Sequence, residues 1–536
     1  MPMRLSEKLR HLDDRSALLE KTIDQHPGWT VIIASLFYFL TTVAVSYVKL
    51  MWFDELITLY VLRFNSFGQL WATLKTGVDL NPPLFHLITR ASETVMGENA
   101  FALRLPCMMA FWIATLCVFD FVRRRTTVLY GLGAALFLLT TEAYFYAFEA
   151  RPYAIVLACC GAMLACWQRA KGTEHRARWL SGMALALAVA VSNHYYAVLL
   201  AAPVAMGEAV GNTLRRKIDW PVWAALALGL SPLLLFLPLI RVGMTLHKNR
   251  YVWNKPQGGF IWEAYGVLIG YALLLMVPVL IGWFAQHHAR QADENTPHES
   301  ARIPAEEVAC GLALCALPVI AYVLAVVLVG MISFRYTLPA ALGFAVVFGF
   351  GAYKAGRARK AVGLAATTVL LAWFFVHTGL RAHIHYQEHD RFSHFESQRV
   401  VSRLNLPLAV QEGMLMLPMA YYSPPEIRSR LTFLVDMNAV DRFTTEDTPE
   451  RLLVMGHNTF PLREQGLSEF RRQHSEYLVY AVHAGWLVDV LVHDGAQVRL
   501  LQNGRHELLF LVDEKQRPEK AEAQPSYLAH SVAAVY

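Results

Sequence analysis

Long apolar runs recur through most of this chain and decide what it can fold into. From about Ile32 to Leu380, stretches of roughly 15 to 25 apolar residues follow one another, the length a helix needs to cross ~30 Å of hydrocarbon. Backbone polar groups in hydrocarbon must be satisfied within the segment, so such runs are read as helices. Roughly eleven are expected, near 30–48, 101–122, 127–146, 152–168, 179–193, 195–211, 221–240, 262–285, 308–331, 336–353 and 361–380. The two on either side of His194 are short. Composition agrees: of 536 residues 55% are hydrophobic and only 17% charged, less charge than a soluble chain of this size carries. The stretch before Thr30 is polar and no small-residue cleavage pattern follows the first run, so a cleaved signal peptide is not expected.

Basic residues orient the bundle. Arg4, Lys8, Arg10, Arg15 and Lys21 precede the first run, and Arg123–Arg125 follow the second. Arg169, Lys171, Arg176 and Arg178 follow the fourth, Arg215, Arg216 and Lys217 the sixth, and Lys354, Arg357, Arg359 and Lys360 the tenth. All fall on one side if the N-terminus is cytoplasmic, the positive-inside pattern. The expectation is a multi-pass protein of the cytoplasmic (inner) membrane. The first loop, and with an odd span count everything after Leu380, then lies outside. The net charge of +6 is mostly this orienting charge and does not indicate nucleic acid as a partner. All seven cysteines fall within apolar runs, which excludes a disulfide framework and reads as apolar packing.

Two motifs in the first outside loop carry three carboxylates: Asp54 and Glu55 in Trp52-Phe53-Asp54-Glu55, and Asp79 in Asp79-Leu80-Asn81-Pro82-Pro83-Leu84. Acids this close to hydrocarbon are costly and usually functional. Between them, Phe67, Leu70, Trp71 and Leu74 repeat at helical spacing, with Ser66 before and Gly77 after. That is a capped amphipathic helix, lying on the outer membrane surface or packed on its own bundle. Pro82-Pro83 cannot continue a helix and fixes an extended turn, holding Asp79 and His86 in defined positions. Three more polar groups face the same side: Glu149-Ala150-Arg151-Pro152-Tyr153, Asn193-His194-Tyr195-Tyr196, and Phe334-Arg335-Tyr336-Thr337-Leu338-Pro339. A guanidinium there suits a phosphate, because its fork of donors matches phosphate oxygens. Each signal has a bland competitor. A lone Arg-Tyr at an interface is more often an anchor, a lone Asp-Glu is more often a helix cap, and Asn-His between short spans serves equally as a polar turn. Convergence on one face is what lifts them above that background.

This set of motifs resembles the C-type superfamily of multispan glycosyltransferases that use lipid-linked sugars, including protein O-mannosyltransferases and the aminoarabinose transferase of lipid A. The resemblance spans roughly residues 30 to 380. It is carried by Asp54-Glu55, by Asp79-x-x-Pro82-Pro83-Leu84, by Ala150-Arg151-Pro152-Tyr153-Ala154 and by Arg335-Tyr336-x-Leu338-Pro339. The chain departs at Asn81, where many relatives carry His, and at His86, where relatives often carry an aromatic residue. The resemblance implies a sugar donor carried on polyprenyl phosphate and an extracytoplasmic acceptor, whether glycan, lipid or protein, with inversion at the anomeric carbon. On that reading Asp54 is the general base, and Glu55 and Asp79 support it or bind acceptor. Arg151, Tyr153, Arg335, Tyr336, His86 and His194 are the candidates for donor phosphate and substrate. The resemblance fixes no cofactor; relatives differ on whether a divalent metal ion takes part, so a metal is open, and no clean ligand spacing occurs in the sequence.

Residues 381–515 read as a separate extracytoplasmic α/β domain. Strands are expected at 431–435, 477–481, 497–501 and 508–512, and helices at 467–474 and 485–493, with partly parallel pairing. No phosphate-binding glycine loop occurs there, so no nucleotide site is assigned. Residues 516–536 form an expected flexible tail, and 1–29 a cytoplasmic segment. The rival class is a transporter or flippase of lipid-linked sugars. Transport sites lie near the bilayer midplane on broken helices, whereas here the polar groups gather at one surface and no repeat is evident. A catalytically inactive carrier-lipid-binding relative is the third reading, opposed by the intact acids.

Overall fold

The structure is a computed structural model. It describes residues 5–172, 174–248, 255–290, 303–356, 360–444 and 447–514, so the expected tail lies outside the described residues. The chain divides into two compact units, the first comprising Met1–Asp390 with Asn458–Phe460, and the second Arg391–His457 with Pro461–Tyr536.

The first unit is helical. It begins with α1 (Leu5–Gln25) and α2 (Pro27–Val48), followed by three short helices, α3 (Phe53–Val61), α4 (Phe67–Lys75) and α5 (Pro83–Met96). Next come α6 (Ala100–Arg123), α7 (Val128–Leu139), α8 (Tyr153–Ala170), α9 (Arg176–Asn193) and α10 (Ala201–Arg215). The unit closes with α11 (Trp220–Leu230), α12 (Leu237–Lys248), α13 (Phe260–Arg290), α14 (Ala305–Cys315), α15 (Leu317–Leu324), α16 (Ala340–Gly356) and α17 (Lys360–Glu388). A helix occupies each of the eleven apolar runs. Among the described residues, five stretches are long and apolar enough to cross a membrane, and up to eight if each sharply bent pair is one span. The chain is therefore a multi-pass membrane protein, with a helix count by this measure below the expected eleven.

The bends have local causes. Between α7 and the 3₁₀ segment Glu142–Phe148 the axis turns by 76°. There the Thr140 and Thr141 hydroxyls fold back onto the Phe137 and Leu138 carbonyls. The 55° break after α14 falls just before Pro318, whose ring and missing N–H cannot continue a helix. Small residues let helices touch. A Cβ on Gly343 of α16 would lie 2.5 Å from Leu314 Cβ and 2.7 Å from the Cys315 amide, so α14 and α16 pack backbone to backbone. At the other end α1 caps two helices, Asp24 accepting from the Val128 amide and Asp13 from the Ala361 amide.

The loop after α2 is ordered by its own sequence. Ser66 caps α4, accepting from the Gln69 amide, and Gly77 ends it at φ 89°. Leu70 and Leu74 are buried while Phe67 is exposed, so α4 packs through one face on its own bundle. Pro82 is extended and Pro83 opens α5, a position whose amide needs no partner. His86 therefore stands on the first turns of a helix, not in an extended turn as the sequence reading had it.

The second unit is a six-stranded sheet flanked by short helices. Its strands are β1 (Leu408–Val410), β2 (Leu431–Val435), β3 (Glu464–Gly466), β4 (Glu476–Ala481), β5 (Gln497–Asn503) and β6 (Leu508–Asp513), in the order β3-β2-β1-β4-β6-β5. The four on the β3 side pair in parallel, and β6 pairs antiparallel with both β4 and β5. The expected helices occur as Leu467–Gln473 and Trp486–His493. β1 and β3, three residues each, were not expected. They are too short to show an alternating pattern.

Candidate active site

Two arginines and two aspartates form the centre of the site. Asp54 stands in the first turn of α3, directly after the first apolar helix. Arg335, on the 3₁₀ turn Phe334–Thr337, donates from Nη1 to Asp54 Oδ2 at 2.8 Å. Its guanidinium lies 4.9 Å over the Trp52 ring. Arg151 reaches the same carboxylate oxygen from Nε at 3.8 Å and donates from Nη1 to Asp79 Oδ2 at 3.2 Å. The two carboxylates thus share one arginine, although 25 residues separate them in sequence. The Asp54 side chain is 18% exposed against 2% for Asp79, so Asp54 is the one that an incoming group can reach.

Asp79 is held from every side. Its Oδ1 accepts from the Asn81 backbone amide at 3.2 Å and from the Asn81 side chain at 2.5 Å, an Asx-turn closed twice. His86 Nε2 lies 3.2 Å from Oδ2. Burial alone would raise this carboxyl, but the Arg151 charge and the His86 and Asn81 hydrogen bonds outweigh it, and its pKa falls well below the carboxylate range. An aspartate so thoroughly satisfied orients its neighbours and is a poor proton acceptor.

Glu55 faces away from the opening and has no exposed surface. Arg104 of α6 donates to both its oxygens, at 2.7 and 2.8 Å. Lys49 adds 2.8 Å to Oε2 and the Ala150 amide 2.9 Å to Oε1. Arg104 also donates to the carbonyls of Ser46, Lys49 and Leu50. Burial works against the charge on Glu55, yet Arg104 and Lys49 prevail and hold its pKa at about 2. The expected part for Glu55 in the chemistry does not suit this place, because no lone pair is open to substrate. It ties the end of α2, α3, α6 and the 149–151 segment together.

Tyr153, His194 and Tyr336 stand together beside Arg335. The His194 ring centroid lies 5.4 Å from Tyr153 and 4.9 Å from Tyr336, and Tyr336 stacks on Tyr196 at 4.3 Å. With Arg335, Leu338 and Pro339 they line a pocket. Burial, reinforced by the Arg151 charge, lowers the His194 pKa to about 3, and its Nδ1 accepts from the Tyr196 amide. His194 is therefore a neutral wall of this pocket and supplies no charge to a phosphate.

Sequence reading missed Arg104, Lys49 and Trp52, and gave Glu149 no role. Arg104 had a signal: an arginine inside an apolar run is rarely idle. Glu149 is 1% exposed and lies 3.7 Å from Lys49, and among the described residues neither of its carboxyl oxygens has a hydrogen-bond partner. Among the described residues no group of three or more His, Cys, Asp or Glu is arranged to hold a metal ion.

Residues 80–241 match the family of dolichyl-phosphate-mannose-protein mannosyltransferases. No curated protein matches the sequence. Two solved structures superpose over nearly the whole chain. ArnT from Cupriavidus metallidurans bound to undecaprenyl phosphate gives a TM-score of 0.55 at 12% identity, covering 90% of this chain and 98% of that one. The same protein in the apo state gives 0.55 at 11% identity, covering 91% and 98%. At such identity the likeness is one of fold. The chain thus resembles the C-type membrane glycosyltransferases twice, in sequence over one stretch and in fold over most of its length.

Proposed function

We propose that this protein is a membrane glycosyltransferase that moves a sugar from a polyprenyl-phosphate carrier to an acceptor outside the cytoplasm, with inversion. The observation that carries the reading is the partly exposed Asp54 carboxylate between Arg335 and Arg151, on the short helix that follows the first apolar helix, with Arg335 also lining an aromatic pocket. The family match and the fold support it, and ArnT was crystallised with a prenyl phosphate.

The chemistry follows from the arrangement. The acceptor oxygen attacks the anomeric carbon, forming the new C–O bond as the bond to the phosphate oxygen breaks. The acceptor proton passes to Asp54, within reach as general base. The departing phosphate keeps the electron pair and needs no proton. It is stabilised by the Arg335 guanidinium, whose five N–H donors suffice to hold a carboxylate and a phosphate together. This differs from glycosidases, which generally need two carboxyls flanking the bond. Arg151 and Asp79 orient Asp54, Tyr153, Tyr336 and His194 wall the pocket, and His86 and Asn81 fix Asp79. Glu55 is structural. The positive-inside pattern supports a site on the extracytoplasmic face of the inner membrane. The second unit, as an extracytoplasmic α/β domain, would stand on the same face.

The test is transfer of radiolabelled sugar from a polyprenyl phosphate donor in membranes. Asp54→Asn is nearly isosteric and should lower turnover by about 10²–10⁴-fold, the range for general-base catalysis, with donor binding retained. Near-wild-type transfer by this variant would remove Asp54 as the base.

A further inference from the structure

Glu149 is a buried carboxyl that the chemistry above does not use. It lies at the end of the 3₁₀ segment Glu142–Phe148, two residues before Arg151. Its surroundings are charged from several elements. Lys49, at the end of α2, is 3.7 Å away. Glu55 and Asp54 of α3, Tyr146 of its own segment and Arg335 from the later 3₁₀ turn all act on it electrostatically. Behind Lys49 stand Arg104 and the His385 ring of α17, and His86 faces Asp79 on the far side of Arg151. Among the described residues both Glu149 oxygens lack a hydrogen-bond donor. An ionised carboxylate buried without donors is far costlier than a neutral one.

The charge count gives that protonation state a consequence. Lys49, Arg104, Arg151 and Arg335 are cations, and Asp54, Glu55 and Asp79 are their carboxylate partners. With Glu149 neutral the cluster carries one positive charge in excess, the complement of one phosphodiester. With Glu149 ionised the excess is gone.

We propose that Glu149 is a positioning residue whose proton favours binding of the donor phosphodiester, so that donor binding is coupled to protonation of this one carboxyl. The inference rests on the donor class proposed above. The titration of the group supports it. Burial raises the pKa, and Glu55 and Asp54 raise it further against the charges of Lys49 and Arg335, leaving it at about 7. The coupled step is a proton uptake on binding, with no bond made or broken in the donor.

The probe is a prenyl phosphodiester, whose single charge does not change over the neutral range, bound to the full-length protein in detergent across a pH series. Wild-type affinity should be highest below pH 7 and fall about tenfold as pH rises through it, the effect of one added repulsion of about one pH unit. Glu149→Gln should keep the low-pH affinity throughout, and Glu149→Asp should keep a step. Calorimetry of the wild type in two buffers near pH 7 should show uptake of a fraction of a proton, about 0.4 for a tenfold effect on a half-protonated group, and this arm needs no variant to fold. The same pH step in Glu149→Gln, or no proton uptake by the wild type, overturns the role of Glu149 while leaving the donor class standing. Absence of phosphodiester binding at every pH overturns the donor class and the inference with it.

Discussion

The Glu55–Arg104 pair should hold α2, α3 and α6 together without taking part in transfer, and the two roles separate by experiment. Both side chains are fully buried. Glu55→Gln keeps shape but puts an amide where a carboxylate met Arg104, Lys49 and the Ala150 amide. The carboxyl pKa falls from 4.5 to about 2 in the fold, which at ~1.36 kcal/mol per pH unit is about 3 kcal/mol in favour of the charged form. Removing one partner of a buried pair costs about 3–5 kcal/mol on other grounds, so the two routes agree. Because the folded-state pKa is lowered, the stabilisation is present above pH 4.5 and is lost as pH falls towards 2. Arg104→Met should cost more than Glu55→Gln, since three backbone carbonyls lose their donor as well. The double variant Glu55→Met with Arg104→Met should cost less than the two singles added together. Denaturant unfolding in micelles, followed by tryptophan fluorescence, measures all of these. Wild-type stability in Glu55→Gln together with lost transfer would refute the reasoning and return Glu55 to the chemistry.

Three further outcomes are expected. Arg335→Lys should weaken binding of a prenyl phosphate although the charge is kept, because the planar fork that meets Asp54 at 2.8 Å is gone; unchanged affinity in both Arg335→Lys and Arg335→Ala would sink the assignment. Asp79→Asn should lower transfer less than Asp54→Asn, since Asp79 is enclosed and orients through Arg151; equal losses would mean the two acids act as one unit. Cysteines introduced near Asp54 and Tyr480 should label from outside, and one near Arg124 only from the cytoplasm; cytoplasmic labelling near Tyr480 would break the expected orientation.

What was legible in the sequence depended on how local its cause is. Each helix that crosses hydrocarbon must satisfy its backbone by itself, so its position is written in a single run, and a helix stands at every run read from composition. The strand 431–435 was readable from its own composition, Leu-Thr-Phe-Leu-Val being rich in apolar and β-branched residues. The bends were harder. Thr140-Thr141 looks like a pair of tolerable polar residues in an apolar run, and only the return of both hydroxyls to carbonyls three residues back turns the axis.

The site shows where local reading ends. Asp54, Asp79, Arg151 and Arg335 could each be singled out because a charged group at a membrane edge is expensive wherever it lies. Which charge answers which could not be read. Asp54 and Glu55 are neighbours of the same chemical class, yet on α3 successive side chains point about 100° apart. One turns to the opening and meets Arg335, 281 positions away, and the other turns inward to Arg104, 49 positions away. A difference of one residue thus separates a partly exposed carboxylate from one with no exposed surface. Glu149 carries the same lesson in reverse. Packing leaves it beside Lys49 and within electrostatic reach of Arg335, Asp54 and Glu55, and among the described residues neither of its oxygens has a donor. The chemistry of this site therefore lies less in the number of its acids than in how unequally the fold solvates them.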